Sequence, residues 1–392
     1  MEQRFSAAAG CLKGQPMFQI LSRIKEMERL GNEVVHFEIG DPDFDTPPAI
    51  VDALKKALDD GWTHYSASVG DYDLRQEICD SRFFTPSFTP SIDQVAIAPG
   101  ANPFIYYAVR CLAEAGDDII IPDPSFSTYD SVLAFCGVNA IRVPLKEENG
   151  FQMMAKDVEK AITARTRLVI VNNPNNPTGA VTSREELEKI AQMCLDRGIY
   201  LYSDEIYSYL NYTGKALYSP AELDHCKERV IVATGFSKTF AMTGWRLGVG
   251  IAPAELIEKI ALMIETTVSC AATFVQRAGL EALRKGMPDV IRMRNTYKAR
   301  RDYLVDRLNS MGGIECEMPE GAFYVFPNIK KLGISDTEFS EKLLLEACVG
   351  TCPGSYFGKY GEGYVRLCYA TSKENIEKGM NRMECFVKKL RK

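Results

Sequence analysis

The chain has 392 residues, of which 46% are hydrophobic and 25% charged, which is the composition of a globular protein with a large core. Its formal net charge is −6 and no apolar stretch approaches the length of a membrane span, so neither nucleic acid nor a membrane is an expected partner. Twelve cysteines without C-x-x-C spacing, together with only three histidines, predict no metal site and indicate reduced thiols in a cytoplasmic protein.

The N-terminal part of the chain predicts one helix and one loop. Residues 1–14 contain no apolar h-region, so we expect no signal peptide. Residues 12–30 have a helical pattern, and the proline- and aspartate-rich stretch 40–48 follows as a loop.

The middle of the chain alternates between strand-like and helix-like stretches. Helical patterns separate most of the strands; in the stretch 183–198, Ser183 and Glu186 form a possible capping pair. Strands that are apolar throughout and alternate with helices indicate a mainly parallel sheet covered on both faces. The seven predicted strands are rich in valine and isoleucine and lie at residues 94–100, 118–123, 139–144, 167–173, 199–205, 229–235 and 246–253.

The pattern changes after about residue 309. Residues 318–329 and 363–370 are strand-like, a helical stretch lies between them, and an amphipathic helix ends the chain. We therefore predict an α/β protein with two domains. The large one, at residues 46–308, has the mainly parallel seven-stranded sheet; residues 1–45 and 309–392 form a smaller α+β domain.

Polar residues cluster where four of the predicted strands end. The strands finish as APGANP, VNNPNNPTG, YSDEIY and ATGFSK. In open parallel sheets ligands bind at the carboxyl ends of the strands. Taken singly, Asp204 could equally cap a helix and Lys238 could be a surface lysine. Their combination with a glycine turn and an asparagine favours one ligand that needs all of them.

That ligand is pyridoxal 5′-phosphate (PLP). A lysine amine can hold its aldehyde, and a carboxylate stabilises its protonated pyridine nitrogen. Its phosphate needs cations and backbone N–H groups. We expect Asn102 to cap a helix and Pro103 to be the first helical residue, so that this helix start faces the phosphate.

These motifs resemble the class I (aspartate-type) PLP-dependent aminotransferases of fold type I. The resemblance extends from about residue 15 to residue 385. It rests on NNPNNPTG, SDEIY, GFSKTFAMTGWRLGVG and YVRLCYA in that order, and also on GDPDFDTP, HYSASVGDYDLR, PGSYFG and the phenylalanine of PDPSF.

The resemblance implies a role for each catalytic residue. Lys238 would bind the cofactor covalently and move the substrate proton. Asp204 would bind the pyridine nitrogen, Tyr207 and Asn176 the ring oxygen, and Arg246 the phosphate.

The resemblance also implies the remaining contacts. Gly100, Ala101, Asn102 and Ser237 would bind the phosphate, and Phe126 would stack on the ring. Arg366 would pair with the substrate α-carboxylate, helped by Asn176 and the backbone at Gly40. Tyr65 would reach the phosphate of the neighbouring subunit, which implies a homodimer with shared sites. As alternatives, Phe126 and Tyr65 could be packed aromatics, Arg366 a surface arginine and Gly40 a turn residue.

Two departures from the family pattern bear on the cofactor and the substrate. Gly235 stands where many members have a phosphate-binding serine, so Ser237 or a backbone group would substitute. The stretch 100–102 lacks the lysine that a bacterial branch of the family uses for acidic substrates. Residues 13–18, which the resemblance places near the substrate side chain, are mostly neutral or apolar. Lys13 and Arg301 are the cations whose positions stay open.

The predicted activity is the transfer of an amino group from a neutral or aromatic L-amino acid to a 2-oxo acid, such as 2-oxoglutarate or pyruvate, through PLP and its pyridoxamine form. Aspartate aminotransferase is the alternative. A PLP-dependent carbon–sulfur lyase is a rival reading, but such a lyase would lack the NNPTG and MTGWR motifs that this chain contains. A PLP-binding transcriptional regulator would need a DNA-binding extension.

Overall fold

The computed structural model describes residues 5–12 and 14–391. The strands within these residues are β1 (Val35–His36), β2 (Val95–Ala98), β3 (Asp118–Asp123), β4 (Asn139–Pro144), β5 (Thr166–Asn172), β6 (Tyr200–Asp204), β7 (Val230–Gly235), β8 (Gly248–Ile251), β9 (Tyr324–Val325), β10 (Val349–Gly350), β11 (Cys352–Pro353) and β12 (Val365–Cys368).

The α-helices surround these strands. They are α1 (Ala7–Gly10), α2 (Pro16–Arg29), α3 (Pro48–Asp59), α4 (Tyr72–Ser81), α5 (Asn102–Leu112), α6 (Thr128–Cys136), α7 (Ala155–Ala161), α8 (Arg184–Asp196), α9 (Phe236–Thr239), α10 (Ala254–Val268), α11 (Thr273–Lys285), α12 (Met287–Asn309), α13 (Asp336–Ala347) and α14 (Lys373–Leu390). None of the helices in the described parts of the chain combines the length and apolarity that a membrane crossing requires.

The central sheet has the strand order β2-β8-β7-β6-β5-β3-β4. β8 runs antiparallel to both β2 and β7, and the other neighbouring pairs are parallel. This confirms the predicted mainly parallel seven-stranded sheet. Both faces of the sheet are covered, since Val95 and Ile97 of β2 belong to one apolar cluster while Ala96 and Ala98 belong to another.

A further apolar cluster joins the two ends of the chain. β1 pairs in parallel with β10, and Phe37 lies in one cluster with Phe339 of α13 and Met380 of α14. The long helix α12 contributes both Met293 and Leu308 to the same cluster. The domain boundaries at residues 45 and 308 stay a prediction.

Several local predictions differ in detail from the structure. The helix predicted at 12–30 is the shorter α2, and the strand predicted at 318–329 is limited to β9. Ser183 caps α8 by accepting a hydrogen bond from the Glu186 backbone N–H at 3.4 Å. The Glu186 carboxylate accepts from the Ala155 N–H at 2.6 Å, so it satisfies α7 instead of returning to Ser183.

The sheet register places three strand ends side by side. Asn172 of β5 is opposite Asp204 of β6, and Asp204 is opposite Ala233 of β7. β7 ends at Gly235 and leads directly into α9, which carries Lys238. Polar groups that are distant in sequence therefore meet at one edge of the sheet.

Close packing on β8 generates a stability prediction. A Cβ at Gly250 would overlap the buried ring of Phe104, whereas a Cβ at Gly244 would meet no atom within 4 Å. We predict that Gly250→Ala lowers the free energy of unfolding by about 1–3 kcal/mol through overpacking. Gly244→Ala is the control and should cause no comparable loss in urea unfolding. Equal stability of the two variants would contradict the packing described here.

Candidate active site

A pocket of ≈ 290 Å³ lies at the carboxyl ends of the central strands. It brings together most of the residues that the sequence predicted for the site. Those lining it are Gly40, Ala101, Asn102, Phe126, Asn176, Asp204, Tyr207, Ser237, Lys238, Arg246 and Arg366.

Lys238 presents a half-buried amine to this pocket. Its Nζ donates a hydrogen bond to the carbonyl oxygen of Gly40 at 2.6 Å and lies 5.6 Å from the ring centroid of Phe323. Burial lowers the pKa of Lys238 to about 8, because desolvation disfavours the charged form. Near neutral pH this amine is therefore uncharged, and nucleophilic, more often than an exposed lysine.

Asp204 is the buried carboxylate of the site. Its Oδ2 accepts a hydrogen bond from the Tyr129 hydroxyl at 2.7 Å, and its Oδ1 accepts from the Ile206 N–H at 3.3 Å. Burial raises the pKa of Asp204 to about 6, while these two hydrogen bonds lower it. A cation placed against this carboxylate would favour its ionised form.

Tyr207 and Asn176 are held by side chains from other elements. The Tyr207 hydroxyl hydrogen-bonds the Tyr324 hydroxyl at 2.9 Å. The Asn176 N–H donates to the Asn172 side-chain oxygen at 2.8 Å, and Asn176 Oδ1 accepts from Arg366 at 3.0 Å. These contacts fix the orientation of both predicted groups before any ligand binds.

Arg366 is fully buried at 0% exposure. One Nη donates to Asn176, and the other donates to the carbonyl oxygen of Glu38 at 2.5 Å. The guanidinium carbon lies 4.6 and 4.7 Å from the ring centroids of Tyr324 and Phe357. Within residues 5–12 and 14–391 no carboxylate forms an ion pair with it. A buried arginine without an ionic partner is ready to bind an anion.

The turn before α5 and the guanidinium of Arg246 lie close together. Gly100 has φ = +97°, and a Cβ there would overlap the Arg246 guanidinium. Arg246 also donates to the Thr243 carbonyl at 2.8 Å. A side chain at Gly248 would overlap the backbone of Gly100, so glycines at both positions permit this close approach.

The predicted cap of α5 is wrong. Asn102 is the first helical residue, Ala101 occupies the N-cap position without a side-chain hydrogen bond, and Pro103 is the second helical residue. The reason is that Gly100, with its positive φ, turns the chain one residue earlier than expected. Ala101 and Asn102, at the start of this helix, still line the pocket.

Close packing explains why residue 235 is a glycine. A Cβ there would lie 2.9 Å from the Leu247 carbonyl oxygen and 3.0 Å from Gly248 Cα. The close pairing of β7 with β8 therefore leaves no room for a serine. Ser237, two residues later, lines the pocket.

The two predicted aromatic contacts have different positions. Phe126 lines the pocket, and its ring meets Tyr129 edge-to-face at 5.8 Å. Tyr65 is 85% exposed and lies outside the pocket lining. Gly100 also lies outside the lining, beside Arg246.

The residues that could contact the substrate side chain do not all line the pocket. Gln15, Met17 and Phe18 line the pocket. Arg301 does not: it lies over the Tyr212 ring at 4.7 Å and donates to the Pro319 carbonyl at 2.7 Å. Lys13 falls outside the described residues.

Sequence reasoning missed several side chains that line or support the site. Tyr129 supports Asp204 from the first turn of α6, and no local pattern indicated this contact across 75 residues. For the others no local pattern indicated a long-range contact with the pocket. These lining residues are Ile39, Asn172, Ile206, Thr243 and Tyr324.

Comparison with known proteins gives matches over nearly the whole chain. A profile of the protein family described as aminotransferase class I and II matches residues 32–383. The aspartate aminotransferase of Pyrococcus horikoshii is 41% identical over 377 residues, which are 95% of this chain and 94% of that protein. The aromatic-amino-acid aminotransferase 2 of Thermococcus litoralis is 42% identical over 360 residues, 91% and 92% of the two chains.

Solved structures agree. The structure of aspartate aminotransferase from Thermus thermophilus with maleate superimposes with a TM-score of 0.93 at 32% identity, covering 98% of this chain and 99% of that one.

The raised pKa of Asp204 predicts a specific pH dependence of stability. Between pH 3.8 and about 6 the folded protein holds this proton while the unfolded chain has released it. For the cofactor-free protein, we expect the contribution of Asp204 to lower the free energy of unfolding as pH rises through this range, by about 3 kcal/mol in total. Asp204→Asn should show a shallower fall in urea titrations, and the exposed control Asp59→Asn should not. Identical pH profiles for all three proteins would contradict the burial of this carboxylate.

Proposed function

The chain belongs to the class I and II aminotransferases, and we propose that it transfers the amino group of a neutral L-amino acid, aliphatic or aromatic, to a 2-oxo acid. It is a PLP-dependent transaminase of fold type I, which confirms the family predicted from the motifs. The observation that carries the donor proposal is the set of cations in the pocket: among the described lining residues these are Lys238, Arg246 and Arg366, and each has another role.

The donor set of the pocket fits PLP. A half-buried amine, a buried carboxylate and an anion-binding turn line one cavity. The turn carries a cation beside it, since the Arg246 guanidinium occupies the space that a Cβ at Gly100 would fill. When bound, PLP supplies an aldehyde that takes up the amino group and a pyridine ring that withdraws electrons.

Lys238 is the covalent anchor and the proton carrier in this proposal. Its lowered pKa supports both roles, because an attacking or proton-accepting amine must be uncharged. The same Nζ would accept and return the proton of the substrate Cα. The hydrogen bond to Gly40 O holds that amine at the edge of the pocket.

Asp204, Tyr207 and Asn176 bind the ring of the cofactor. The Asp204 carboxylate faces a protonated ring nitrogen, and that positive charge counters the burial that raises its pKa. Tyr207 donates its hydroxyl proton, and Asn176 its side-chain N–H, to the ring oxygen. The Asn176 oxygen is already occupied by Arg366, which supports the amide orientation needed for this donation.

The phosphate is bound by the start of α5 and by Arg246. The backbone N–H groups at Ala101 and Asn102 would donate, and the positive end of the α5 dipole adds attraction. The predicted contribution of the Gly100 N–H does not hold, because that group donates to the Ala98 carbonyl oxygen at 2.7 Å. Ser237 contributes its hydroxyl from the other side of the pocket. In the same proposal the ring of Phe126 stacks on the pyridine.

Arg366 binds the substrate α-carboxylate. Its Nη1 donates one N–H to Asn176, and its Nη2 donates to the Glu38 carbonyl oxygen and, at 3.8 Å, to Cys352 Sγ. A bidentate pair with the carboxylate would use the second N–H of Nη1 and would replace the weak sulfur acceptor of Nη2. Every α-amino acid and every 2-oxo acid carries this carboxylate. Arg366 therefore holds all substrates alike, assisted by Gly40, and does not select among side chains.

Selection falls to the groups that face the substrate side chain, which we take to be Gln15, Met17, Phe18 and Asn102. None of them is charged. A desolvated carboxylate on a neutral donor loses the charge-assisted part of its hydrogen bond, which is about half of the bond's strength. An apolar or aromatic side chain of the substrate loses no hydrogen-bond energy when it packs against Met17 and Phe18.

The alternative is an aspartate preference. Relatives named aspartate aminotransferase and aromatic-amino-acid aminotransferase match this chain at 41% and 42% identity, so their names do not separate the two activities. Lys13 or a cation of a second subunit would favour aspartate. The proposed acceptors are 2-oxoglutarate and pyruvate.

Two observations support the proposed assembly and location. An 85% exposed tyrosine at position 65 supports a homodimer in which Tyr65 reaches the phosphate of the other subunit. All twelve cysteines are free thiols, which supports a reducing compartment such as the cytoplasm.

A donor panel tests the proposed substrate class. With 2-oxoglutarate fixed, we expect kcat/KM for alanine, methionine or phenylalanine to be at least as large as for aspartate. As a matched variant, Asn102→Lys should raise kcat/KM for aspartate about tenfold relative to phenylalanine by restoring a charge-assisted contact. A strong aspartate preference in the wild type would reject the proposal and favour aspartate aminotransferase.

A further inference from the structure

Tyr324 lines the pocket, is 2% exposed, and has no role in the reaction described so far. We propose that Tyr324 is a positioning residue whose two parts act separately: its hydroxyl holds Tyr207 on the cofactor side, and its ring holds Arg366 on the substrate side. The inference rests on the proposed roles of those two residues.

The backbone places Tyr324 between them. It begins β9, which pairs antiparallel with β12, and its register partner is Cys368, two residues beyond Arg366. Tyr207 follows the end of β6 and thus comes from the central sheet. Tyr324 therefore contacts one predicted site residue that follows β6 of the central sheet and one that lies on β12.

The hydroxyl contact has a definite direction under the proposed function. A phenol has one proton, and Tyr207 needs its proton to donate to the cofactor ring oxygen. At the 2.9 Å contact Tyr207 must then accept, and Tyr324 must donate. This second hydrogen bond fixes the Tyr207 oxygen and makes its own O–H a better donor.

The ring contact holds a guanidinium that lacks an ionic partner among the described residues. Arg366 lies between the rings of Tyr324 and Phe357, at 4.6 and 4.7 Å from their centroids. Attraction between a cation and an aromatic face is strongest when the cation is desolvated, as this one is. The two rings fix the plane of the fork, which a bidentate carboxylate pair requires.

A third contact limits the neighbouring loop. A Cβ at Gly40 would overlap the Tyr324 hydroxyl. The backbone of Gly40 can thus approach only as glycine, and its carbonyl is the group that accepts from Lys238. Tyr324 therefore contacts three parts of the site. These are Tyr207, the predicted partner of the ring oxygen; Arg366, the predicted partner of the α-carboxylate; and the loop at Gly40.

Two variants of the holoenzyme separate the hydroxyl from the ring. Tyr324→Phe should raise the Kd for PLP about two- to tenfold and shift the pH midpoint of the cofactor absorbance upward by about half a unit. The shift is upward because a weaker donor on the ring oxygen leaves more negative charge to hold the proton of the lysine–cofactor link. KM for both substrates should stay within about twofold, since the ring remains over Arg366.

Tyr324→Leu removes the ring as well. Besides the effects of Tyr324→Phe, this variant should raise KM about tenfold for the amino acid and for the 2-oxo acid alike, because both bind Arg366 through the same kind of carboxylate. The matched control is Tyr369→Phe. Tyr369 is a buried tyrosine of the same apolar cluster whose hydroxyl donates to the Ala322 carbonyl at 3.1 Å, and its loss should change none of these readouts.

Tyr207→Phe and Arg366→Lys separate failure of this inference from failure of the proposed function. Tyr207→Phe should shift the absorbance midpoint, and adding Tyr324→Phe should shift it no further. Arg366→Lys should raise KM for the amino acid and the 2-oxo acid alike, because a lysine cannot form the bidentate pair. If Tyr207→Phe and Arg366→Lys have their expected effects but both Tyr324 variants behave like Tyr369→Phe, the inference is overturned and the proposed function stands. If neither of the first two changes its readout, both are overturned. Should Tyr324→Leu fail to fold, Tyr324→Phe decides through the absorbance midpoint.

Discussion

The hydrogen bond from Lys238 Nζ to the Gly40 carbonyl oxygen joins the two parts of the chain that form the site. Lys238 is delivered by β7 through α9, whereas Gly40 lies in the loop that follows β1. The two residues are 198 positions apart in sequence. An amine can be half-buried here because the N-terminal segment covers the sheet edge and supplies an acceptor. Burial in turn lowers its pKa and makes it chemically useful.

The same constraint applies to the other ionisable groups of the pocket. Among the residues that the structure describes, Asp204 is buried with hydrogen-bond donors and no cation, and Arg366 is buried with two oxygen acceptors, two rings and no carboxylate. Each is one half of an ion pair whose other half a ligand would bring. Leaving such groups unpaired costs stability in the free protein, which is a common cost of preorganised binding sites.

Sheet topology explains the spacing between Lys238 and Arg246. β8 runs antiparallel to β7 and to β2, so the connection between β7 and β8 returns to the edge where the chain left the sheet. Arg246 stands just before β8 and therefore lies beside Gly100, which follows β2. The glycines at 100, 235 and 248 remove the side chains that would keep these backbones apart.

Sequence alone predicted the site wherever a local pattern marked a strand end. Apolar runs that end in polar residues located Asp204 and Lys238, because strand ends in parallel sheets meet at one edge. The sequence pattern placed the N-cap of α5 at Asn102 instead of Ala101. The positive φ of Gly100 causes this shift, and hydrophobic periodicity does not reveal such a backbone conformation. It could not find Tyr324, whose contact with Tyr207 spans 117 residues.

The most direct measurement is chemical. Borohydride reduction of the purified yellow holoenzyme, followed by proteolysis and mass spectrometry, makes the bond between lysine and cofactor permanent and locates it. The PLP-derived mass is expected on the peptide that contains Lys238 and absent from the same digest of Lys238→Ala. A label on another lysine, or no covalent label on the wild type, would contradict the account.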